Sequence, residues 1–392
     1  MKYMKTKFLI LFAFAIGLVS CENQENEFDD FGSTTVYFPF QTPARGLILG
    51  DYDLGFNDND NNGRFEIGVS MSGVYTNEMN RKVYFEVDPS IIDATELGAT
   101  DVNVQVLPEA YYTIEQESPV TIPSGDTKGR IPVQLTDAFF DDPLSIAGKD
   151  TVNYVIPLKI TMFEDLDSLL TGVVAEGITD PKRVVDTDWE IEPKDYTLYG
   201  IKFFNEYHGI YLRRGEDKIV GTSEVVKVYT NGNPTETDTQ NIDDSTIYRD
   251  ENVVGDEVTP VFTEARYANT SVTTIKRGDA LPNGGILELL LTFDDNNDIT
   301  VENADENSTI VVTGTGKYVE DGDEWGGKKR NVIYLEYGYQ DQTVETEIES
   351  GFFGPISTTT TTVDLQHTVN DTLVVRDRDV KFEEFTVELT MP

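Results

Sequence analysis

Short runs of alternating apolar and polar residues dominate the first part of the chain. In the segment 83–87, Val83, Phe85 and Val87 share one face while Glu86 points away, as in a half-buried strand. Turns rich in Gly, Pro, Asn and Asp separate such runs, and no sustained apolar stripe of helical period interrupts them. The pattern predicts an antiparallel β-sandwich with strands at Val36–Phe40, Glu66–Met71, Lys82–Asp88, Gly129–Leu135 and Tyr154–Met162.

The alternation weakens over residues 166–195, where acidic residues and two prolines accumulate, and it resumes at Tyr196. The last run alternates strictly, with Phe385, Val387 and Leu389 on one side. Strand patterns joined by hairpin-length turns fit a closed up-and-down barrel or a large sandwich. We favour the barrel because closure leaves no exposed strand edge. The fold class is therefore all-β, with an immunoglobulin-like sandwich at 34–165, a linker at 166–195 and an antiparallel barrel at 196–392.

The N-terminus has the pattern of a secretory leader. Three lysines precede the apolar stretch Phe8–Val19, as in the positively charged and apolar regions of a signal peptide. At about 1.5 Å per residue this stretch covers roughly 18 Å of a ~30 Å hydrocarbon layer, so it is too short to span a membrane as a helix. We predict a signal peptide at 1–20 and a polar, acidic tether at 21–33.

The single cysteine of the chain, Cys21, directly follows Leu18-Val19-Ser20. This tetrapeptide resembles the lipobox of bacterial lipoproteins, in which the cysteine is acylated and becomes the first residue. The resemblance implies lipidation of Cys21 and anchoring in the outer membrane. The acidic residues behind it resemble a signal for export to the cell exterior. The alternative is an ordinary signal peptide with an incidental cysteine.

Charge narrows the range of partners. The chain has 71 acidic and 30 basic residues, which gives a formal net charge of −41. Such a chain repels phosphate backbones and anionic lipid surfaces, so we predict no nucleic-acid partner. With one cysteine there is no intrachain disulfide, and the domains must be held by ordinary cores.

Several segments resemble the outer-surface glycan-binding lipoproteins of polysaccharide-utilisation systems. The resemblance covers both predicted domains and implies an immunoglobulin-like domain followed by a lipocalin-like β-barrel. It also implies a protein that stands beside a TonB-dependent outer-membrane importer. The family supplies no ligand residue that can be transferred by position. The segments that bear the resemblance are Ile67–Asn77, Val83–Asp88, Tyr196–Ile201, Asn205–Gly215, Gly314–Tyr318, Trp325–Gly327 and Tyr334–Tyr337.

Sugar-binding residues must therefore be chosen on physical grounds. A pyranose ring has a flat apolar face edged with hydroxyls, which proteins meet with exposed aromatic rings and hydrogen-bonding side chains. Trp325 lies in a polar, glycine-rich segment and Trp189 lies near the domain boundary, so both are candidates, with Tyr337 as a weaker one. The alternative is that these rings close a barrel end, join the domains or fill the core.

Catalytic and metal chemistry have little support. Asp58, Asp60 and Gly63 match the opening of a calcium-binding EF-hand loop, but Val69 stands where the bidentate glutamate belongs. We therefore favour a solvated turn and predict no metal and no cofactor. Only His208 and His367 could serve as an imidazole base for a nucleophile. A pair of carboxylates could still hydrolyse glycosides, and with 71 acids the sequence leaves this open.

The function that we favour is a non-catalytic, lipid-anchored surface protein that binds polysaccharide or oligosaccharide and presents it to an import complex. The alternatives are a surface glycosidase or esterase of unrecognised type, and a structural lipoprotein that only contacts other proteins.

Overall fold

A computed structural model of the chain describes residues 32–50, 56–146, 151–247, 257–263, 270–276 and 286–392. The predicted signal peptide, Cys21 and most of the predicted tether lie outside the described residues. Their roles stay predictions.

The described residues form an all-β protein, as the sequence predicts. Its helices are single turns at α1 (Asp58–Asn61), α2 (Ala94–Leu97) and α3 (Asp137–Phe140), with 3₁₀ turns at Pro89–Ile92, Glu109–Tyr111, Pro143–Ser145 and Asp186–Asp188. None of the described helices is long and apolar enough to cross a membrane. The strands up to the domain junction are β1 (Thr35–Tyr37), β2 (Pro43–Ile48), β3 (Arg64–Ser72), β4 (Arg81–Val87), β5 (Asp101–Val102), β6 (Gln105–Val106), β7 (Tyr112–Ile114), β8 (Val120–Ile122), β9 (Lys128–Leu135), β10 (Tyr154–Glu164), β11 (Ser168–Leu169), β12 (Val173–Val174), β13 (Trp189–Ile191) and β14 (Tyr196–Phe204). The later strands are β15 (Gly209–Tyr229), β16 (Glu236–Ile247), β17 (Glu257–Thr263), β18 (Thr270–Lys276), β19 (Ile286–Phe293), β20 (Asp298–Asn303), β21 (Val312–Trp325), β22 (Lys328–Gly351), β23 (Gly354–Asp377), β24 (Glu383–Glu384) and β25 (Leu389–Thr390).

The N-terminal domain is a sandwich of two sheets. One sheet has the order β11-β1-β3-β9-β7, and the other has the order β24-β2-β14-β10-β4-β8 with β6 beside β10. Their inner faces share one core, in which alternate residues such as Ile67, Val69 and Ile131 are almost completely buried. Three of the pairings are parallel, namely β1 with β11, β2 with β14 and β6 with β10. The sandwich is therefore mixed, whereas the sequence predicts a purely antiparallel one.

Residues 166–195, which we predict to be a linker, pack against the sandwich. β11 pairs with β1, and β12 forms a small hairpin with β13. The Phe38 N–H donates to the Lys194 carbonyl at 2.8 Å, and the Arg183 guanidinium pairs with the buried Asp195 at 2.7 Å. The loss of alternation predicts a linker, but these backbone and ion-pair contacts hold the segment against the sandwich.

The C-terminal domain is a closed antiparallel barrel. Among the described strands the order is β15-β17-β18-β19-β20-β21-β22-β23, and β23 closes the ring by pairing with β15. This up-and-down arrangement of eight described strands is the lipocalin-like architecture that the sequence predicts. Apolar residues on alternate positions, including Leu289, Leu291 and Leu335, fill one part of the interior.

The boundary between the two domains differs from the prediction. We place Tyr196–Phe204 and the C-terminal run in the barrel, but β14 lies between β2 and β10 in the sandwich. After β23 the chain also returns to the sandwich, where β24 pairs with β2 and Phe385 packs on the core. Alternation shows which side chains are buried but not which sheet they cover, and this explains the error.

Arg378 joins the two domains where the chain leaves the barrel. Its guanidinium donates to the carbonyls of Asn205 at 2.8 Å, His208 at 2.6 Å and Leu49 at 3.1 Å. These acceptors belong to the connection between β14 and β15, to the barrel entrance and to the end of β2. One buried side chain therefore holds both domains and the chain that connects them.

Three barrel strands continue far past the barrel. β22 runs from Gln340 to Gly351 beyond its last pairing with β21, and with β23, β15 and β16 it forms a sheet that we call the arm. At about 3.4 Å per residue the arm is roughly 40 Å long. Its tip is the hairpin turn at Phe352 and Phe353, whose side chains are 96% and 100% exposed.

Candidate functional site

A cleft of about 540 Å³ opens on one side of the sandwich. The cleft lies just beyond the end of β1 at Tyr37. There the Phe65–Val69 part of β3 pairs with β9 on one side, and no described strand pairs with its other side. The chain crosses here from one sheet to the other through Phe38-Pro39-Phe40. The walls are formed by β2, β3 and β14, by the turn before α1, and by residues 380–382, which follow the last barrel strand in the sequence.

Three aromatic side chains stand at the rim of the cleft. Phe40 and Phe382 lie with their ring centroids 4.6 Å apart, and Phe56 stands at the entrance. Phe40 is 43% exposed, Phe382 is 62% exposed and Phe56 is fully exposed. Large apolar side chains gathered at the mouth of a concavity are typical of a ligand site, since a core role would bury them.

Charged side chains also line the cleft. Arg45 lies on the cleft wall and donates from Nη2 to Asp60 Oδ1 at 2.5 Å, while Asp60 Oδ2 accepts the Ile48 N–H at 3.0 Å. Lys381 pairs with Asp379 at 2.9 Å, and this hydrogen bond raises the pKa of the Lys381 ammonium. Lys128 forms no ion pair within the part of the chain that the structure describes. The cleft therefore presents three cations at neutral pH.

The floor of the cleft has polar groups and free space. Thr197 is 1% exposed, and its hydroxyl has no hydrogen-bond partner among the described residues. A buried hydroxyl without a partner costs roughly 1–3 kcal/mol, which a ligand hydroxyl could offset. At Gly68 a Cβ atom would meet nothing within 4 Å, so this strand residue leaves the floor open. Burial raises the pKa of Tyr199, whose phenol therefore stays protonated beside the floor.

A second hollow of about 480 Å³ adjoins the cleft and shares Arg45, Glu66 and Tyr199 with it. Arg64 and Glu115 line its far side and form an ion pair at 2.5 Å. We call the two hollows together the groove. A groove that continues past a shared wall can hold several sugar units rather than one.

The three aromatic residues predicted to bind sugar lie apart from the groove. The Trp189 indole donates to the Lys182 carbonyl at 2.8 Å and joins two parts of the 166–195 segment. Trp325 ends β21 at the rim of the barrel, with the Arg330 guanidinium 5.3 Å from its ring. Tyr337 is 3% exposed inside the barrel and donates to Asp371 Oδ2 at 2.9 Å. Their sugar-binding role stays a prediction, but the structure does not bring them together.

Tyr337 belongs to a polar cluster within the barrel. Arg213 and Asp371 form a fully buried ion pair at 2.9 Å, and His367 Nδ1 lies 2.8 Å from Asp217 Oδ2. The Tyr339 ring stacks on His367 at 4.3 Å between centroids. The other histidine, His208, is buried at the domain junction against Phe204.

The Asp-rich run at 57–63 ties α1 to β2. Both carboxylate oxygens of Asp60 are engaged by Arg45 and Ile48, and Asn57 Nδ2 donates to the carbonyls of Ile48 and Gly50. Across the described ranges no group of three or more His, Cys, Asp or Glu side chains could hold a metal ion.

The groove residues escaped sequence reasoning because they come from distant segments. Phe40, Phe56 and Phe382 share one weak signal, since each is a large aromatic residue isolated among prolines, glycines or charged residues. Nothing in the sequence indicates that Thr197 and Lys128 lie near them.

The chain is similar to proteins whose function is unknown. Residues 206–379 match the domain of unknown function DUF5627, and residues 30–164 match a model described as an N-terminal domain. The DUF5627 match begins close to the first barrel strand at Gly209. No curated protein matches the chain.

Solved structures from Bacteroides ovatus resemble the chain to different degrees. A protein of unknown function aligns with a TM-score of 0.66 and 29% identity over 92% of this chain and 100% of that chain. A multidomain protein including DUF1735 aligns with a TM-score of 0.32 and 14% identity over 91% and 99% of the two chains. A candidate carbohydrate-binding protein aligns with a TM-score of 0.23 and 11% identity over 84% and 97%. The last two scores are too low to support an inference, and the first shows that this chain shares its fold with a Bacteroides ovatus protein of unknown function.

Proposed function

We propose that this protein is a non-catalytic cell-surface lipoprotein that binds an oligosaccharide or polysaccharide chain in the groove. The bound glycan would then pass to a TonB-dependent outer-membrane importer. The observation that supports glycan binding most directly is the aromatic rim of Phe40, Phe56 and Phe382 around polar groups on the cleft floor.

The arrangement suits the chemistry of a sugar. Exposed phenyl rings can cover the apolar face of a pyranose, while Arg45 and Lys128 in the same cleft can bond its hydroxyls. The unpaired side of β3 adds backbone donors and acceptors along the same wall. In small-ligand sites the apolar contacts usually provide affinity, and a few polar groups fix the orientation of the ligand.

The acids of the groove support a binding role rather than hydrolysis. Glycosidases need one protonated and one ionised carboxyl group on either side of the scissile bond. The described acids that line the groove are Asp60, Glu66 and Glu115, and each pairs with an arginine. Each of these carboxyl groups is therefore already engaged by a guanidinium of the protein.

The proposal is tested with the protein beginning at residue 22 and a panel of polysaccharides. Native affinity gels and titration calorimetry measure binding, and a reducing-end assay measures hydrolysis. We expect retarded migration with at least one polysaccharide and no release of reducing ends. Release of sugar would show that the protein is an enzyme instead.

A matched pair of variants locates the site. Phe382→Ala removes a rim aromatic, and we expect it to lower affinity by roughly tenfold or more. Phe353→Ala removes an exposed phenyl group at the tip of the arm, and we expect unchanged affinity. Equal effects of the two substitutions would place the site elsewhere.

The anchoring part of the proposal has its own test. Cells that express the full chain are labelled with a radioactive fatty acid, and intact cells are treated with protease. We expect label on the natural chain but not on Cys21→Ser, together with cleavage from outside the cell. A chain that is labelled equally without Cys21 would overturn the lipidation of this residue.

A further inference from the structure

The charge of the groove differs from the charge of the whole chain. Acidic residues outnumber basic ones by 71 to 30 in the sequence. The described residues that line the two hollows reverse this balance, with four cations and three acids. The cations are Arg45, Arg64, Lys128 and Lys381.

The acids of the groove are already engaged. Asp60 pairs with Arg45, Glu115 pairs with Arg64 at 2.5 Å, and Glu66 accepts from Arg130 at 2.9 Å. A ligand would therefore meet carboxylates whose charge is balanced within the protein. Arg45, Arg64 and Lys381 are also paired with acids, so Lys128 is the lining cation whose charge has no partner among the described residues.

Two of the cations have donors to spare. Lys128 is exposed, lies opposite Ser70 in the β3–β9 ladder and has no ion-pair partner among the described residues. Arg45 uses Nη2 for Asp60, and its Nε and Nη1 have no hydrogen-bond partner in the described parts of the chain; its side chain is 42% exposed. These remaining N–H groups can donate charge-assisted hydrogen bonds to a ligand carboxylate.

We infer that the groove selects an acidic glycan, one whose sugar units bear carboxylates, with Lys128 and Arg45 as the counter-charges. This inference rests on the proposed function, because it names the class of sugar that the same groove takes. The phenyl rings of Phe40 and Phe382 would cover the ring face of a uronate unit while the cations meet its carboxylate.

The net charge of −41 does not oppose this assignment. At physiological ionic strength the Debye length is about 8 Å, so exposed charges farther away are largely screened. The charges that a bound sugar experiences are those of the groove itself. Large anionic surfaces such as nucleic acid remain excluded because they would contact many of the acids outside the groove.

The experiment compares each polymer with its own uncharged form. Polygalacturonate, alginate and hyaluronan are tested beside the same polymers after reduction of their carboxyl groups to alcohols, together with neutral xylan, laminarin and starch. Titration calorimetry on the protein beginning at residue 22 gives the affinities. We expect at least one acidic polymer to bind and its reduced form to bind at least tenfold more weakly.

Two substitutions that remove the same charge test the role of Lys128. We expect Lys128→Gln to weaken binding of the acidic polymer roughly tenfold and to leave binding of any reduced polymer unchanged. Lys329→Gln removes an exposed lysine in the barrel and should change neither. An unchanged affinity of Lys128→Gln for the acidic polymer would overturn the assignment of Lys128.

The remaining outcomes separate this inference from the proposed function. Binding of a reduced or neutral polymer as tightly as the acidic ones would overturn the inference and leave the glycan-binding function intact. Binding of no polymer of either kind would overturn both.

Discussion

Aromatic and charged side chains meet in two regions of this protein, the cleft of the sandwich and the interior of the barrel. In the barrel, Arg213 pairs with Asp371 and His367 lies beside Asp217, so these charged and polar groups meet one another inside a closed interior. In the cleft, Phe40 and Phe382 stand in solvent and Lys128 has no described ion-pair partner. The same residue types therefore build a closed core in one domain and an open surface in the other.

The difference shows why residue type alone is a poor guide to a site. Tyr337 has the chemistry of a sugar platform, but its ring is buried and its hydroxyl is bonded to Asp371. Phe382 has a plainer side chain and the exposure that a ligand requires. Exposed rings and a cation without a described ion-pair partner, rather than the presence of tyrosine or tryptophan, distinguish the cleft from the barrel interior.

The largest expected effect, on the free energy of unfolding, comes from removing one partner of the ion pair inside the barrel. Asp371→Ala removes the carboxylate that pairs with the buried Arg213, and loss of one partner of a buried pair typically costs about 3–5 kcal/mol. Urea unfolding should show this loss, and glycan affinity of the folded protein should stay unchanged. The control Glu336→Ala, an exposed acid on β22, should cost less than about 0.5 kcal/mol. A change in affinity without a change in stability would mean that the barrel interior takes part in binding.

A somewhat smaller effect is expected where the two regions join. Arg378→Ala leaves the carbonyls of Leu49, Asn205 and His208 without this donor, and we expect a loss of about 3 kcal/mol. Trp325 reports on the barrel in a Trp189→Phe background, and Trp189 reports on the sandwich in a Trp325→Phe background. We expect the two unfolding transitions to move apart in the variant. Arg376→Ala, a change to a neighbouring exposed arginine, should leave them together.

A change in the cleft alone should act on binding and not on stability. Gly68→Val places a branched side chain over the open floor without a clash, and valine is favoured in strands. We expect the affinity for the glycan to fall about thirtyfold, or roughly 2 kcal/mol, with the thermal midpoint unchanged or slightly raised. Thr113→Val, on the exposed side of β7 in the same sheet, should alter neither. Full affinity in Gly68→Val would show that the glycan does not reach the floor.

The smallest effect concerns acid stability of the sandwich. Burial disfavours the charged form of Asp142, but hydrogen bonds from the Tyr154 hydroxyl, the Leu144 N–H and the Tyr111 hydroxyl outweigh burial and lower the pKa of this carboxyl. A lowered native pKa contributes stability above the unfolded pKa of about 3.9, and this contribution disappears as the pH falls through the native pKa. Asp142→Asn should therefore be less stable than the natural chain near pH 6, with the difference shrinking below about pH 4. Calorimetric scans at both pH values measure it, and a constant difference would contradict the prediction.

Local patterns were sufficient for the fold class. Strands such as β4 and β9 follow from alternation alone, and the glycine-rich and asparagine-rich segments between them mark the turns. The barrel that we favour for the C-terminal strands is also observed, but the break in strand signals near residue 166 does not mark the domain boundary, because β14 still belongs to the sandwich. The sequence could not show that residues 166–195 pack on the sandwich, because this packing depends on contacts between distant segments, such as that between Phe38 and Lys194.

The sequence by itself determined that this is an acidic, all-β chain with a leader-like N-terminus, because charge, composition and two-residue periodicity are properties of neighbouring positions. Only the tertiary structure decided where a ligand could bind. The cleft joins residues 38–48, 56–60, 66–70, 197–199 and 380–382, which meet because the chain returns to the sandwich after completing the barrel. Alternation specifies a buried face but not its partner sheet, so a site assembled from several strand edges exists only once those sheets have packed.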